Sequence, residues 1–433
     1  MSQTQHAATD AQSATAARAA MAAGHLTAVA YLEACLERIA ASEGSVRAFA
    51  AIDLPAARRA AEAADRQGRP GLLGGIPVGV KDVIETAALM TGHGSPIWAG
   101  FRPRGDAASV ALMRAGGGYV LGKTVTTEFA SRHPGATANP WNLAHTPGGS
   151  SQGSAAGVAA GFFPVAFGTQ TAGSILRPAA FCGVTGYKPS FGTIHRGGMK
   201  VMSENLDTIG AIGRCLADCA LLVAAASGRG ELPPGPAGSA PRIRVTPGPA
   251  AALLSQETRA LLADVAARLS AAGATVVDAR LPPAVLAAAE AQPIVMSGET
   301  AQALAWEFAE AAAQLSPGMR TNLAAGAALA PGVLDAARHM MAMAGAAYLD
   351  WMEGSDLVLT AAAPGEAPEG LGWTGDPACN VLWTALHGPC ASLPAGFGPK
   401  GLPLGIQLVG RLGADAAFLE AAQWVEAKLR WPA

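Results

Sequence analysis

The sequence predicts an α/β fold, in which the strands of a sheet alternate with helices along the chain. Short runs of β-branched and apolar residues, each bounded by glycine or proline, predict strands at residues 76–80, 119–121 and 165–167. Residues 107–114, which lie between two of these strands, have the composition of a helix. Strands separated by helical segments are typical of a sheet that carries helices on its faces.

Helical and strand-like segments continue on both sides of this region. Helical spacing of apolar residues over residues 26–43, and a helix-favouring composition at residues 56–66, predict that residues 1–66 form an N-terminal helical cap of the same domain. The α/β domain itself is expected at residues 67–433, with a surface loop at the proline- and glycine-rich residues 228–236. Beyond this loop the pattern predicts a strand, a helix and a strand at residues 243–245, 257–271 and 275–278. A variable, alanine- and methionine-rich helical region on the substrate side follows at about residues 284–352, and then three strands and a last helix at residues 357–360, 391–394, 404–409 and 416–429.

Composition limits the kinds of partner that the chain can bind. The chain has 433 residues, of which 50% are hydrophobic and 14% are charged, and its formal net charge is −2. Because it has no run rich in lysine and arginine, we do not expect it to bind nucleic acid or an anionic membrane. No apolar run reaches the roughly 20 residues that span a bilayer. We therefore expect a soluble protein, a monomer or a homodimer, that acts on a small molecule.

Two features of the sequence predict a cytoplasmic location. The first twenty residues lack the charged and apolar regions of a signal peptide. The six cysteines are scattered in mostly apolar surroundings, which is typical of buried thiols and not of a disulfide framework or a paired-cysteine metal site. These cysteines are Cys35, Cys182, Cys215, Cys219, Cys379 and Cys390.

Residues 117–124, with the sequence GGYVLGKT, match the pattern of a phosphate-binding loop. A functional loop of this kind follows a strand and precedes a helix, and the N–H groups of its spacer residues are free to cradle phosphate. Here the order is reversed, because a predicted helix ends at the glycines and residues 119–121 have the character of a strand. We therefore interpret Lys123 as a structural or surface residue and expect no nucleotide.

Two glycine-rich loops carry serines, and a lysine lies at the end of a predicted strand. The loops are GGSSQGS at residues 148–154 and GTQTAGSILRP at residues 168–178, and the lysine is Lys81 in the segment GIPVGVKD at residues 75–82. Glycine turns can hold a hydroxyl and several backbone N–H groups around one reacting atom. Two serines and a lysine therefore indicate acyl chemistry without histidine.

These segments resemble the amidase signature family. The resemblance is strong over residues 71–213 and returns at residues 380–411, whereas residues 233–352 match little. It implies a single domain built around a mixed, mostly parallel β-sheet that is covered by helices on both sides. It also implies a hydrolase that cleaves amides with one serine, a second serine that follows a cis peptide bond, and a lysine.

Carried over to this chain, the resemblance makes Ser174 the nucleophile, Ser150 the bridging serine after a cis Gly149–Ser150 bond, and Lys81 the base. Residues 171–174 contain no proline, so all of their N–H groups remain available to stabilise a tetrahedral oxyanion. The predicted oxyanion hole consists of the backbone N–H groups of Thr171, Ala172, Gly173 and Ser174, and the predicted supporting residues are Gly149, Ser151, Thr169 and Gln170.

A lysine can act as this base only if its surroundings favour the neutral amine. A free lysine has a pKa of about 10.4, so making it neutral at pH 7 costs on the order of 5 kcal/mol. Burial can lower the pKa of a lysine by several units. The apolar neighbours Ile76, Val78 and Val80 are expected to bury Lys81.

The chain departs from the commoner family pattern at three positions close to Ser174. Gln170 stands where aspartate is frequent, Ala172 where glycine is usual, and Arg177 lies three residues after the nucleophile instead of two. These changes leave the reaction type intact and the substrate open. The predicted substrate contacts are Arg177, which could pair with a carboxylate, and the apolar residues Met90 and Phe129.

Other hydrolase chemistries have weaker support in the sequence. Four histidines in predicted turns could in principle form a serine–histidine pair: His133, His145, His195 and His387. No GxSxG elbow lies between a strand and a helix, so this alternative is disfavoured. No HExxH motif or close cluster of histidine and aspartate predicts a metal site. We therefore expect neither a metal nor another cofactor.

The sequence thus predicts a serine hydrolase that uses water to cleave the C–N acyl bond of an amide through an acyl-enzyme on Ser174. Aryl amides, carbamates (urethanes) and esters are expected to fit the same chemistry if the pocket admits them. A glutaminase-type subunit of a tRNA-dependent amidotransferase is the alternative within the family. A non-catalytic binding protein on this fold is the alternative of another class, and the presence of all three triad residues disfavours it.

Overall fold

An eleven-stranded mixed β-sheet runs through the computed structural model, which describes residues 13–230, 235, 238–429 and 431. Residues 1–12 of the N-terminal segment and residues 231–234 and 236 of the predicted loop lie outside the described residues. The strands are β1 (Phe49–Ile52), β2 (Pro77–Lys81), β3 (Tyr119–Thr124), β4 (Val165–Gln170), β5 (Thr185–Lys188), β6 (Thr208–Gly213), β7 (Arg242–Val245), β8 (Thr275–Asp278), β9 (Leu357–Ala361), β10 (Cys390–Phe397) and β11 (Pro403–Val409).

The strands follow the order β1-β3-β2-β4-β6-β5-β10-β11-β9-β7-β8 across the sheet. β2 pairs in parallel with β3 and β4, and β7 pairs in parallel with β8 and β9. The other six pairings between the described strands are antiparallel. The predicted α/β fold around a mixed sheet is therefore confirmed, although the parallel pairs form two separate groups and do not make up most of the sheet.

Helices pack against this sheet in distinct groups. α5 and α6 contact each other and the central strands. α7 packs on β5 and β6, and α4 and α14 pack against α7. The helices are α1 (Ala14–Ala22), α2 (Ala28–Val46), α3 (Leu54–Arg66), α4 (Ala108–Ala115), α5 (Gln152–Ala159), α6 (Leu176–Cys182), α7 (Leu216–Ser227), α8 (Gln256–Ala271), α9 (Pro283–Ala303), α10 (Ala305–Glu310), α11 (Pro317–Ala327), α12 (Pro331–Trp351), α13 (Ala378–Ala385) and α14 (Asp415–Glu426).

Local sequence signals account for many of these boundaries. The Thr27 hydroxyl accepts a hydrogen bond from the Ala30 N–H and so caps the N-terminus of α2. Ser255 caps α8 in the same way, through the Thr258 N–H. β8 covers the four residues predicted for it, and α8 begins one residue before its predicted start. Residues 119–124 of the phosphate-loop pattern form β3, as their sequence context predicted. Lys123 is fully buried in this strand, so it is a structural residue and not a surface one.

The predicted helical region at residues 284–352 consists of α9 to α12. α9 packs on α11, α12 and α13, so this region forms one body of helices beside the sheet. None of the helices in the described ranges combines the length and the apolar character needed to cross a bilayer.

Candidate active site

Lys81 is the last residue of β2, in the interior of the protein. All five residues of this strand are buried, and Ile76, Val78, Val80 and Lys81 are each 0% exposed. Parallel pairing with β3 and β4 encloses the strand on both edges. The apolar residues that predicted a strand here therefore also shield Lys81 from water.

The Lys81 amine has three hydrogen-bond partners. Nζ lies 2.7 Å from Ser150 Oγ, 2.7 Å from Thr169 Oγ1 and 3.3 Å from the Thr169 carbonyl oxygen. Burial lowers the pKa of Lys81 from 10.5 to about 7, although the nearby Asp207 carboxylate raises it. Burial therefore favours the neutral form of this amine far more than water does for a free lysine.

Ser150 lies in the first glycine-rich loop, directly before α5. The Gly149–Ser150 peptide bond is cis, at the position that the family resemblance implied. Gly148 has a φ of +83°, a conformation that favours glycine. Gly149 lies so close to Thr374 that a Cβ atom on it would be 2.7 Å from Thr374 Cγ2, so only glycine fits there. Ser151 Oγ accepts a hydrogen bond from the Thr169 N–H at 3.3 Å, which ties the first loop to β4.

Ser174 lies in the loop between β4 and α6, and its side chain is almost entirely buried at 8% exposure. The Ser174 carbonyl oxygen accepts a hydrogen bond from the Ser151 N–H at 3.3 Å, which joins the two glycine-rich loops. Within the described residues, the hydroxyls of Ser150 and Ser174 are not hydrogen-bonded to each other. The two loops thus bring both serines and Lys81 into one region, but the hydrogen bond between the Ser150 and Ser174 hydroxyls is not formed.

The loop at residues 171–174 ends at the predicted nucleophile Ser174 and is called the nucleophile loop below. It is held by its carbonyl groups. Gln292 Nε2 donates to the Thr171 carbonyl at 2.9 Å, and Thr384 Oγ1 donates to the Ala172 carbonyl at 2.5 Å. The Gly173 carbonyl accepts a hydrogen bond from the N–H of Arg177, in the first turn of α6. In the described part of the chain, none of the four N–H groups of this loop donates to a protein acceptor. The loop is therefore fixed on one side, and a row of backbone donors remains available.

Asp207 anchors the same loop through a side chain. Thr171 Oγ1 donates to Asp207 Oδ1 at 2.5 Å, while the N–H groups of Met202 and Ser203 donate to Asp207 Oδ2. Burial raises the pKa of Asp207, whereas its three hydrogen bonds favour the charged carboxylate. The side chain that anchors the nucleophile loop therefore belongs to Asp207, the residue directly before β6.

Gln170, the last residue of β4, takes the place where the family often has aspartate. Its Oε1 accepts the N–H groups of Ile175 and Leu176 at 2.9 and 3.1 Å, at the start of α6. Its Nε2 donates to Thr384 Oγ1 at 2.9 Å. A neutral amide thus links the nucleophile loop to α13.

The three predicted substrate contacts lie in different surroundings. Arg177 is 4% exposed, and its guanidinium donates to the Gly149 carbonyl at 2.7 Å and to the Thr374 carbonyl at 2.9 Å. Phe129 is fully buried in a small apolar cluster, whereas Met90 is exposed. Burial lowers the pKa of Arg177 to about 10, which leaves it positively charged at neutral pH.

Residues outside this centre have structural partners. Lys123 forms a buried ion pair with Asp82, with 3.0 Å between Nζ and Oδ1, and also donates to Thr91. His387 contacts the Asn205 carbonyl through Nε2 at 2.6 Å. No group of three or more histidine, cysteine, aspartate or glutamate residues that could hold a metal ion occurs in the ranges that the structure covers.

Four residues that hold the nucleophile loop were missing from the sequence-based site: Asp207, Gln292, Asn380 and Thr384. Asn380 matters because a Cβ atom on Gly173 would lie 2.4 Å from its Oδ1. Thr384 and Asn380 fall in the second segment with family resemblance, which was the signal that could have identified them. Gln292 lies in a segment that matched little, so no signal in the sequence could have identified it.

Comparison with known proteins agrees with this arrangement. A family model described as Amidase matches residues 30–419. A subunit of the glutamyl-tRNA(Gln) amidotransferase of Roseiflexus castenholzii is 45% identical over 221 residues, which cover 49% of this chain and 45% of that protein. The chain thus spans about half the length of the first curated relatives that it matches. The same subunit of the Anaeromyxobacter dehalogenans enzyme is 34% identical over 95% of both chains.

A solved structure described as the crystal structure of an amidase superposes with a TM-score of 0.88 at 28% identity, and the superposition covers 96% of this chain and 100% of that one. The family model covers the segments that supply Lys81, Ser150 and Ser174, together with the more distant residues that hold the nucleophile loop. The chain belongs to the amidase family.

Proposed function

We propose that this chain is a cytoplasmic serine hydrolase that cleaves the C–N acyl bond of amides through an acyl-enzyme on Ser174. The observation that carries the proposal is the contact of 2.7 Å between Ser150 Oγ and a buried lysine amine whose pKa is lowered to about 7. A neutral amine at this position can accept a proton from a serine hydroxyl at physiological pH.

Thr169 orients that amine. A neutral amine has two N–H donors and one lone pair, and Thr169 offers two acceptors, Oγ1 at 2.7 Å and the carbonyl oxygen at 3.3 Å. When Thr169 accepts both hydrogens, the lone pair of Lys81 faces Ser150 Oγ. Ser150 can then give its own proton to Lys81 while it accepts a proton from Ser174.

The reaction follows from these positions. Ser174 Oγ attacks the carbonyl carbon, its proton passes to Ser150, and the Ser150 proton passes to Lys81. The π electrons of the carbonyl move onto oxygen, where the free N–H groups of the nucleophile loop stabilise the negative charge. Collapse of this intermediate breaks the C–N bond, and the leaving amine takes the proton that returns through Ser150. Water then repeats the sequence on the ester, which releases the acid and restores Ser174.

The hydroxyls of the two serines are brought into contact by substrate in this proposal, since catalytic hydrogen bonds commonly tighten only in the Michaelis complex. Carbamates (urethanes) and esters fit the same steps, because each has a carbonyl carbon and a leaving group that can accept the proton. Met90 is the predicted substrate contact that lies at the surface. Arg177 holds the first glycine-rich loop through the Gly149 carbonyl, and Phe129 is fully buried, so a substrate cannot reach it. The chain is expected to work without nucleic acid or a membrane.

The test is a hydrolysis screen of aliphatic amides, aryl anilides, carbamates and esters with the Ser174→Ala variant as the blank. Ser109→Ala is the matched control, because Ser109 is fully buried on α4 and its hydroxyl has no hydrogen-bond partner among the described residues. Activity in the wild type and in the control, with none in Ser174→Ala, supports the proposal. Amide hydrolysis that survives in Ser174→Ala contradicts it.

A second candidate function is the glutaminase subunit of a tRNA-dependent amidotransferase. It is favoured by the 34% identity to a subunit of such an enzyme over 95% of both chains. This function requires partner subunits, whereas the simple hydrolase acts alone as a monomer or homodimer. Glutamine hydrolysis that occurs only when partner subunits are added would favour the second candidate, and turnover of amides by the isolated chain would favour the first.

A further inference from the structure

A chain of hydrogen bonds connects α6, Gln170, Thr384 and the nucleophile loop. The orientation of the Gln170 amide is fixed because its Oε1 faces two backbone N–H donors, those of Ile175 and Leu176. Its Nε2 must therefore face Thr384 Oγ1, to which it donates at 2.9 Å.

The Thr384 hydroxyl has one hydrogen to donate and two carbonyl oxygens within reach. One is the Ala172 carbonyl at 2.5 Å, and the other is the Asn380 carbonyl one turn earlier in α13, at 3.1 Å. Gln170 donates to the hydroxyl oxygen, so the hydrogen of the hydroxyl remains for one of the two carbonyls. It points to the nearer one, that of Ala172. All of these groups are buried, with Gln170 0% and Thr384 1% exposed.

We infer that Gln170 and Thr384 act together as positioning residues for the oxyanion hole, by fixing the Ala172 carbonyl with an uncharged relay. Holding that carbonyl fixes the adjoining peptide plane, which carries the N–H of Gly173, one of the free donors of the nucleophile loop. A carboxylate at position 170 could accept the N–H groups of α6 but could not donate to Thr384. The glutamine is therefore matched to the threonine, and the pair supports the loop from the position where the family often has an aspartate.

The inference rests on the function proposed above and makes a prediction about the transition state. Thr384→Val keeps the shape of the side chain but removes the hydroxyl, so the Ala172 carbonyl loses its donor. We expect kcat to fall about tenfold or more, because positioning a donor matters when negative charge develops, while KM stays within about twofold. Inhibition by an aldehyde analogue of the best amide substrate, which forms a tetrahedral adduct with Ser174, is expected to weaken by the same factor as kcat.

Two further variants separate positioning from loss of packing. Thr384→Ser retains the hydroxyl and is expected to restore the wild-type kcat. Thr185→Val is the matched control, since Thr185 is a buried threonine of β5 whose hydroxyl contacts Glu426 on α14, away from the loop. A wild-type kcat in Thr384→Val, an equal loss in Thr185→Val, or a change in KM alone would overturn the inference.

The relay itself is tested by a double-mutant cycle with Gln170→Met. If the two residues form one relay, the double variant is no slower than the slower single variant, whereas independent effects would multiply. The same cycle measured by urea denaturation reports on the relay without any activity. If the effects of the two substitutions simply add, both in activity and in the free energy of unfolding, the relay is refuted. If the wild type hydrolyses no amide but the two substitutions are coupled in their effect on stability, only the proposed function is refuted.

Discussion

In the proposed mechanism the pKa of Lys81 sets the pH at which the site becomes active, and the burial of this residue indicates the size of the effect. Burial places its pKa near 7 instead of 10.5, with Asp207 opposing the shift. At about 1.36 kcal/mol per pH unit, this difference corresponds to about 5 kcal/mol that the fold must supply to keep the amine uncharged. The perturbation to test is therefore pH itself, in the wild type and in an Asp207→Asn variant.

The proposed base is active when it is neutral, so kcat/KM is expected to rise with pH to a plateau. One unit below the pKa only about a tenth of the amine is neutral, so kcat/KM near pH 6 should be about a tenth of its plateau value. Asp207→Asn removes the carboxylate that raises the pKa of Lys81, so the rise should move to lower pH. Its kcat should also fall, because Thr171 loses part of its anchor.

The same shift makes stability depend on pH. Between pH 7 and 10.5 the unfolded chain holds a proton on Lys81 that the folded chain does not, so the free energy of unfolding rises with pH through this window. Lys81→Met should abolish this rise and should be more stable than the wild type near pH 7, since it no longer buries an ammonium group. Urea denaturation at a series of pH values measures both effects.

The kinetic assay is the initial rate of amide hydrolysis at low substrate concentration from about pH 5 to 9, with protein stability checked at each pH. A profile with no ionisation between about pH 6 and 8 would refute the assignment of Lys81 as the base. So would a profile whose rise does not move in Asp207→Asn, because the carboxylate would then not act on the titrating group.

Two further substitutions test the packing within and beside the site. Lys123→Met leaves the buried Asp82 carboxylate unpaired, so the free energy of unfolding should fall by about 3–5 kcal/mol in urea denaturation, and adding Asp82→Asn should recover part of the loss. An unchanged stability would show that this ion pair does not hold the strands. Gly173→Ala places a Cβ atom 2.4 Å from Asn380 Oδ1, so the nucleophile loop must shift and kcat should fall about 100-fold or more. Gly44→Ala, on an open part of α2, is its control and should keep full activity while raising stability by about 0.5–1 kcal/mol, and equal activities of the two variants would contradict the steric argument.

The sequence predicted elements whose own pattern is strong and missed those whose pattern depends on burial. The amphipathic α8 and the apolar strand β2 were predicted close to their observed bounds. α7 was missed because nine of its twelve residues are buried, so it lacks the apolar stripe that marks a surface helix. β5 and β6 were missed because glycines interrupt them, and both lie in the sheet interior, where no alternation of apolar and polar residues is needed.

The site shows the same division between local and distant information. The positions of Lys81, Ser150 and Ser174 follow from motifs that are readable within a few residues. The partners of the nucleophile loop do not, because Asp207, Gln292 and Thr384 reach it across 36, 121 and 212 positions of sequence. Contacts at such separations are a product of the fold, and no local pattern in a single sequence shows which of these residues contacts the loop.

These distant contacts also bear on whether the helices at residues 284–352 act as a lid. Gln292 on α9 holds the nucleophile loop, and Glu299 on the same helix accepts hydrogen bonds from Asn205. Glu307 on α10 pairs with Lys200 at 2.5 Å. Both carboxylates are almost fully buried, and each hydrogen bond to a charged group contributes about 1.5–3 kcal/mol. Opening these helices as a lid would break all of these contacts and release the loop that carries the proposed oxyanion hole. The segment that matched least in sequence is therefore expected to be a fixed wall of the active site, so that substitutions in it change kcat and not only the fit of the substrate.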